Sequence, residues 1–510
     1  MLYFFNRKKN LSFFHLFQLG RHSPCRSIHS SNKAQKLIFN NFQRPDSSSI
    51  LKSNLKYSAL HSVFLSMKDF TVGSEAKIIL NFSVPLVIGN LLQNLYNIVD
   101  SIIVGNYLGK EALGAVGASF PIIFTLISLV IGVGSGASTV VSQYFGAKQM
   151  KNVAKTIDTI FIFFLGASLV VSALGIYFSG AIFQLLQLPE EMMPEAVSYM
   201  NVYLLGMFFF FGFNGITSIL RGMGDSKTPL YFMVISTFNN IVLDLLFVVV
   251  FKWGIEGVAF ASVIAQAIAF FAATWYLNKK HPVIKLSLRR YVFDRNIFKS
   301  CLRIGLPTGF QQSFVAFGMM AIMAIVNGFG TNAVAAYTAA IRIDSFAKMP
   351  AITFSSALSS FTGQNLGALR EDRARNGLKT TLYFSLVYCI FISIIIIVFG
   401  KYLIKMFTPD PAVIAIGQDY LVIVSSFYLL LAVMFTLTGF LRGAGATFIP
   451  MLTTLTALYA IRIPLAYFLS DHLGVNGIWW AEPAGWAAGT IILSIYYFSG
   501  KWRGKDVFQH

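Results

Sequence analysis

Two carboxylates, Asp100 and Asp244, occur in stretches of sequence that are otherwise almost entirely apolar. In the first stretch, Gln93, Tyr96 and Asp100 are spaced by three and four residues, so a helix places them on one face. In the second stretch, Asn240 precedes Asp244 by about one helical turn. An ionised group inside hydrocarbon costs about 2.5 kcal/mol or more, so a carboxylate retained there indicates a function.

The chemistry open to such a set is the binding of a cation or a proton. Ser262, in the next apolar stretch, adds a hydroxyl group. Two carboxylates with amide and hydroxyl oxygens can hold a hard cation such as Na⁺, or they can share a proton. The competing interpretation is a hydrogen-bond network that only packs helices together, and it applies most to Ser262 and Asn214 taken alone.

Membrane-spanning helices are the elements that must position these residues. The chain is 55% hydrophobic and 12% charged, and its apolar runs reach the ~20 residues that cross a bilayer. We therefore predict an all-α polytopic membrane protein with twelve transmembrane helices. The first six lie near residues 78–104, 112–141, 156–178, 196–219, 229–251 and 254–277, and the second six near 302–326, 333–361, 378–399, 417–440, 447–469 and 474–498.

The two halves of the chain repeat each other. VVSQYFGAKQ around Gln143 resembles SSFTGQNLGALR around Gln364, LRGMGDSKTP recurs as LRGAGATFIP, and GIEGVAFA recurs as GVNGIWWA, always in the same order. Such landmarks indicate an internal duplication. Six helices return the chain to its starting side, so we predict two six-helix bundles related by a pseudo-twofold axis along the membrane normal. We place the N-lobe at residues 67–285 and the C-lobe at 286–510.

Charge placement predicts the orientation. If the N-terminus is cytoplasmic, most Lys and Arg residues between helices face inside, including Arg221 and Arg442, while only Lys110, Lys252, Lys401 and Lys405 face outside. This bias follows the positive-inside rule and predicts that both termini are cytoplasmic. The net charge of +19 then needs no nucleic-acid partner, because the inner loops face anionic lipid headgroups.

The same orientation predicts that the polar residues meet. Asp100 and Asp244 lie shortly before the outer ends of the first and fifth helices, and Ser262 lies shortly after the outer start of the sixth. At 1.5 Å per residue, all three lie roughly 10 Å below the outer surface, so they can form one cluster.

Residues 1–66 belong to neither repeat. They are basic, with Asp46 as their acidic residue, and contain a run of serines from Ser47 to Ser49. We interpret them as a disordered N-terminal extension or as sequence upstream of a natural start at Met67, with an organelle targeting peptide as the alternative.

Several motifs resemble the multidrug and toxic compound extrusion (MATE) family. They are PLVIGNLLQNLYNIVDSIIVGNYLG from Pro85, NNIVLDLLFVV from Asn239, LRGAGATFIP from Leu441 and RIPLAYFL from Arg462. The resemblance covers about residues 68–500. It implies a cation or proton coupling site at Asp100, Asn240, Asp244 and Ser262, the last being Ser where Thr is more usual. It also implies an associated substrate or polar network at Gln93, Tyr96 and Asn214. Leu245 stands at a position where members of this family often have Pro.

The second half lacks the acidic residues that some family members use there. The seventh helix has Gln311 and Gln312 instead, so coupling is expected in the N-lobe. Asp344 and Lys348 are four residues apart and can pair within a helix, with Arg342 or Arg462 completing a structural network.

The expected function is secondary active antiport, exporting amphipathic or cationic organic compounds in exchange for inward Na⁺ or H⁺. A lipid-linked saccharide flippase with the same two-bundle plan is the alternative. The sequence has no GxxxxGK[ST] phosphate loop, HExxH or GxSxG motif, so we expect neither an ATP-driven pump nor an enzyme. We expect no cofactor beyond the transported ion. The expected partners are a small organic substrate and the lipid bilayer, for a monomer in the plasma (inner) membrane.

Overall fold

A computed structural model describes residues 69–185, 188–280 and 292–508. The predicted extension, residues 1–66, and the predicted lobe boundary at residues 285 and 286 lie outside these ranges. The described part of the first half forms six helical segments. They are α1 (Glu75–Tyr107), α2 (Lys110–Gly146), α3 (Met150–Leu185), α4 (Met193–Leu205 and Met207–Gly222), α5 (Lys227–Asp244, continued by Leu245–Val250) and α6 (Gly254–Lys280).

The second half repeats this order in its described residues. Its segments are α7 (Arg295–Asn327), α8 (Thr331–Gly367), α9 (Glu371–Lys405), α10 (Pro411–Ser425 and Tyr428–Gly443), α11 (Phe448–Leu455, Thr456–Arg462 and Ile463–Leu473) and α12 (Val475–Phe498). The prediction of an all-α polytopic membrane protein is confirmed. Among the described residues, eight single helices are apolar enough to cross a membrane, and the two bent pairs α4 and α10 raise this number to ten.

The two remaining segments, α8 and α12, are not among these ten. α8 carries Asp344 and Lys348, α12 carries Glu482, and these three charged residues lie at the central cavity described below. A helix that faces a cavity between two lobes needs less apolar surface than one surrounded by lipid, because its polar face is covered by protein.

Breaks in the helices follow the repeat. α4 bends by 50° at Gly206, and α10 bends by 53° between Ser425 and Tyr428. α5 widens into a π-helical turn at Leu245–Val250, and α11 does the same at Thr456–Arg462. π-helical turns inside α-helices occur often at functional sites, and the turn in α5 begins at the residue after Asp244.

The chain reverses direction with the same backbone in both halves. Lys148, between α2 and α3, has φ 61°, and Leu369, between α8 and α9, has φ 58°. Left-handed backbone is unfavourable for residues that have a Cβ, and here it occurs at matching loops. The duplication seen in the sequence therefore extends to the detailed course of the main chain.

The lobes approach closely along α2 and α7. A Cβ at Gly132 would overlap the backbone of Gly309, and one at Gly136 would overlap the carbonyl oxygen of Cys301. Small residues allow such backbone contact between membrane helices. The start of α1 also contacts the C-lobe, since Phe70 and Phe82 pack with each other and Phe70 stacks on Phe361 of α8.

One end of the lobe interface is closed by two equivalent glutamines. Gln143 of α2 donates through Nε2 to the carbonyl oxygen of Gly443 at 2.9 Å, and Gln364 of α8 donates to that of Gly222 at 3.0 Å. Each bond crosses from one lobe to the other. We call this end of the bundle, where α2, α4, α8 and α10 finish, the closed end.

Backbone N–H groups of the segments before α1 and after α12 complete these contacts. Phe70 donates its N–H to Oε1 of Gln364 at 3.0 Å, and Val507 donates its N–H to Oε1 of Gln143 at 2.9 Å. Both amides are thus satisfied on donor and acceptor sides in a buried setting, where an unmade hydrogen bond costs about 1 to 3 kcal/mol.

Replacing Gly146 by Ala should destabilise the closed end. A Cβ there would overlap the carbonyl oxygen of Gln364, and a Cβ at Gly367 would likewise overlap that of Gln143. We expect Gly146→Ala and Gly367→Ala each to cost about 1 to 3 kcal/mol through overpacking, seen as a lower unfolding temperature of the purified protein. Gly166→Ala in α3 is the control, since a Cβ there meets no atom within 4 Å. Equal unfolding temperatures in all three variants would contradict this account.

Candidate functional site

The four predicted coupling residues come together between α1, α5 and α6. Asp100 is 8% exposed on α1, while Asn240 and Asp244 of α5 are 2% and 0% exposed, and Ser262 of α6 is 2% exposed. The carboxyl groups of Asp100 and Asp244 adjoin each other. Asn240 donates through Nδ2 to the hydroxyl of Ser262 at 3.4 Å. We call these four residues the carboxylate site.

Several oxygens of the carboxylate site have no hydrogen-bond partner. These are Oδ1 of Asp100, both carboxylate oxygens of Asp244 and Oδ1 of Asn240. Buried polar atoms are usually paired, and a buried unpaired charge is costly. No Lys or Arg of the described residues forms an ion pair with either carboxylate. A bound cation, or a proton shared by the two carboxyl groups, would satisfy these atoms.

The donor set favours a cation that accepts oxygen ligands. The described residues contain no group of three or more His, Cys, Asp and Glu side chains that could hold a metal ion. What the carboxylate site offers is two carboxylates with one amide oxygen and one hydroxyl. Hard cations bind to such mixed oxygen sets, and these residues fit Na⁺ as well as a proton.

The three residues of the predicted polar network separate in space. The hydroxyl of Tyr96 lies 2.8 Å from that of Ser262, at the carboxylate site. Gln93 is exposed on α1. Asn214 of α4 donates to the carbonyl oxygen of Phe210 within its own helix at 2.9 Å and lines the central cavity. The roles of these residues stay predictions.

A layer of polar side chains that the sequence did not indicate surrounds the carboxylate site. Tyr199 and Tyr203, one helical turn apart on α4, stack at 6.2 Å between ring centroids and lie within electrostatic reach of Asp100. Tyr203 also lies beside Gln266 of α6. The spacing of four between the two tyrosines is the signal that would have found them, but tyrosine is common near membrane surfaces.

A second polar region lines a cavity of about 600 Å³ between the lobes. On its C-lobe wall, Lys348 pairs with Asp344 at 2.5 Å and with Glu482 at 2.7 Å, and Arg462 pairs with Glu482 at 2.8 Å. Tyr428 donates to Asp344 at 2.6 Å. The predicted pairing of Asp344 with Lys348 is confirmed. The pairs leave both carboxylates occupied.

Of the two arginines proposed to complete this network, Arg462 takes part and Arg342 is exposed. The partner of Arg462 is Glu482. The sequence did not indicate this pair, because the two residues lie on different helices and their spacing does not show how these helices pack.

A family model named MatE matches the chain twice, over residues 85–246 and 307–468. The probable multidrug resistance protein YpnP of Bacillus subtilis (strain 168) is 34% identical over 441 residues, which are 86% of this chain and 98% of that protein. The chain belongs to the MatE family. The two matched ranges correspond to the two halves of the internal repeat, and the resemblance seen in the sequence motifs is confirmed.

Further comparisons agree with the MatE assignment. The probable multidrug resistance protein YoeA of Bacillus subtilis (strain 168) is 31% identical over 84% of this chain and 94% of that protein. A solved structure described as the outward-facing conformation of a multidrug resistance MATE family transporter has a TM-score of 0.80 at 24% identity, covering 85% of this chain. The latter establishes a shared fold. This MatE protein is therefore a multi-pass membrane transporter.

The paired charges of the C-lobe wall should contribute to stability in this MatE protein. Glu482→Gln removes the charge that Lys348 and Arg462 share. Breaking a buried ion pair by removing one partner costs about 3 to 5 kcal/mol, so we expect a clearly lower unfolding temperature for the purified protein. Glu256→Gln is the matched control, because Glu256 is exposed and accepts one hydrogen bond from Ser198. A Glu482→Gln variant as stable as this control would show that the pairs contribute no net stability.

Proposed function

We propose that the protein is a secondary active antiporter that exports amphipathic organic compounds in exchange for inward Na⁺ or H⁺. The observation that carries this proposal is the carboxylate site, where two adjoining buried carboxylates keep three oxygens without a partner. A site of this kind changes its free energy strongly when an ion enters, and that change is what a coupled transporter needs.

The position of α1 supports coupling between this site and the lobe interface. Asp100 lies in the part of α1 that packs on α5, while Asn90, nearer the start of the helix, donates to the hydroxyl of Thr353 on α8 at 3.1 Å. One helix thus contacts both the carboxylate site and the opposite lobe. Occupation of the site by Na⁺ or H⁺ would alter the packing of α1 and bias the arrangement of the lobes.

The central cavity supplies a place for the organic substrate. It lies between the lobes and is bounded at the closed end by the Gln143 and Gln364 contacts. Alternating access requires that this end open while the other closes. On the proposed orientation, with both termini cytoplasmic in the plasma membrane, the closed end faces the cytoplasm. We propose that one chain suffices, since each monomer contains both lobes.

The test of this function is transport by the purified protein in proteoliposomes. Efflux of a fluorescent amphipathic compound is followed under an imposed Na⁺ gradient and, separately, under an imposed pH gradient. Acceleration by one gradient supports antiport and identifies the coupling ion. Equal efflux with and without both gradients would refute ion coupling.

Neutralising either carboxylate should abolish the response to the gradient. Asp100→Asn and Asp244→Asn each remove one charge from a pair that must bind a cation or release a proton, so we expect gradient-driven efflux to fall to the level of empty liposomes. Membrane insertion should stay normal, because an amide costs less than a carboxylate in a buried position. Asp419→Asn, at an exposed site on α10, is the control and should transport normally. Full transport by either carboxylate variant would remove that residue from the mechanism.

A further inference from the structure

Two arginines occupy equivalent positions at the bottom of the central cavity. Arg221 is the next-to-last residue of α4, and Arg442 is the next-to-last residue of α10. Both line the cavity, and each is followed by the glycine whose carbonyl oxygen accepts a bond at the closed end. The sequence had placed these arginines in inner connections. The helices extend further than the apolar runs suggested, and this brings the arginines to the cavity.

Neither guanidinium group has a partner in the part of the chain that the structure describes. Within the described residues, no hydrogen bond or ion pair involves the side chain of Arg221 or Arg442, and Nε of Arg221 is buried without an acceptor. Asp225, three residues after the end of α4, is already used, since it accepts bonds from Lys227 and Thr228 at the start of α5. Both side chains are half-buried, and an unpaired charge removed in part from water is unfavourable, so the pair needs a reason to be retained.

The ends of the helices do not supply that reason. A cation near a helix C-terminus is stabilised by the free carbonyl groups there, typically by about 0.3 to 1 kcal/mol. Here the carbonyl oxygens of Gly222 and Gly443 accept bonds from Gln364 and Gln143. These two carbonyl oxygens are thus already bonded to the glutamines.

The remaining charges of the cavity leave an excess of positive charge. Six ionisable Lys, Arg, Asp and Glu residues line it, namely Arg221, Asp344, Lys348, Arg442, Arg462 and Glu482. The two carboxylates are paired with Lys348 and Arg462. A cationic compound therefore finds no free carboxylate on the described walls, whereas an anionic one finds two free arginines.

Hydroxyl groups from both lobes surround the arginines. Thr217 and Thr438 precede Arg221 and Arg442 by four residues, one turn further into the cavity, and Ser138 and Ser359 line the same region from α2 and α8. The hydroxyl of Thr217 is buried and has no partner. It is a second unsatisfied polar group, independent of the arginines, at the same place.

Above this floor, apolar side chains line part of the walls, beside the paired charges of the C-lobe wall. Leu86, Met319, Ile352, Leu431, Met434 and Phe435 line the cavity together with the residues named above. Flexible methionines and an aromatic ring accommodate organic groups of varied shape. The cavity thus has a cationic floor and, above it, apolar surface together with paired charges.

We propose that Arg221 and Arg442 form an anion-binding floor, and that the transported compounds carry a phosphate or carboxylate group attached to an apolar body. Guanidinium groups bind the oxygens of carboxylate and phosphate in a bidentate manner. The anionic group lies between the two arginines, so it contacts both lobes at once, and the apolar body extends along the upper walls. This inference rests on the proposed transport function and specifies its substrate class.

The experiment measures binding to the purified full-length protein without any ion gradient. Three probes share a naphthalene body: 1-naphthyl phosphate, 1-naphthylacetate and a naphthylmethyl trimethylammonium salt. Their dissociation constants are measured by isothermal titration calorimetry at low salt. We expect the wild-type protein to bind at least one of the two anions about ten-fold or more tightly than the cation, in line with charge-assisted hydrogen bonds. The better anion identifies phosphate or carboxylate as the preferred group.

Variants then assign the preference to the two arginines. Arg221→Gln and Arg442→Gln should each weaken binding of the anions about ten-fold or more and leave binding of the cation unchanged or tighter. Arg221→Lys should lose less than Arg221→Gln, since it keeps the charge without the planar fork. Arg295→Gln, at an exposed position at the start of α7, is the control.

Several results would overturn the proposal. One is a wild-type protein that binds the cation as tightly as the anions, and this measurement needs no variant to fold. Another is a folded Arg221→Gln or Arg442→Gln variant with unchanged affinity for the anions. Selective anion binding without any gradient-driven transport would instead contradict the antiporter function and leave the anion-binding floor supported, so the two failures are distinguishable.

Discussion

Four hydrogen bonds at Gln143 and Gln364 hold the two lobes together at the closed end, and much of the molecule is arranged around them. Each glutamine donates a hydrogen bond across the lobe interface to a carbonyl oxygen at a helix end. Each also accepts a hydrogen bond from a backbone N–H, of Phe70 before α1 or of Val507 after α12. The bonds require close backbone approach, which Gly146 and Gly367 allow. They also fix the last turns of α4 and α10, and hence the two arginines at the base of the cavity.

The first helix connects this end to the carboxylate site. Its first half and the preceding Phe70 contact the C-lobe through Phe70 and Asn90, with Phe82 packed on Phe70, and its later part carries Tyr96 and Asp100 into the N-lobe. Asn90 and Asp100 lie in the same part of this helix, after Pro85, so a movement of the helix at Asp100 would also move the contact of Asn90 with the C-lobe. The N-lobe location of the carboxylates and the interlobe location of the cavity are therefore compatible with coupling between them.

Much of this architecture can be predicted from sequence because it depends on repetition and apolarity. The recurrence of LRG and of the Gln143 and Gln364 segments predicts the duplication, and buried carboxylates such as Asp100 and Asp244 stand out in apolar runs. The bends of α4 and α10 and the π-helical turns cannot be seen in this way, because they arise from packing against neighbouring helices.

Long-range partners were likewise beyond sequence reasoning. Glu482 pairs with Arg462 of the preceding helix and with Lys348, which is far away in the chain, and no spacing within one helix indicates either contact. The sequence predicts Arg221 in a connection between helices, because a charge after an apolar run usually marks the membrane surface. Its true position follows from a helix that continues past its apolar stretch and ends at the lobe interface.

The donors at the closed end also bear on how the two halves are joined. Phe70 precedes α1, yet it bonds to Gln364 of the C-lobe, while Val507 follows α12 and bonds to Gln143 of the N-lobe. Each lobe thus donates one backbone hydrogen bond to the other, from the segment before α1 in the N-lobe and from the segment after α12 in the C-lobe. The four bonds involve residues of α2, α4, α8 and α10 and of the segments before α1 and after α12. These contacts depart from twofold symmetry, because Phe70 precedes the first helix of its lobe whereas Val507 follows the last helix of its lobe.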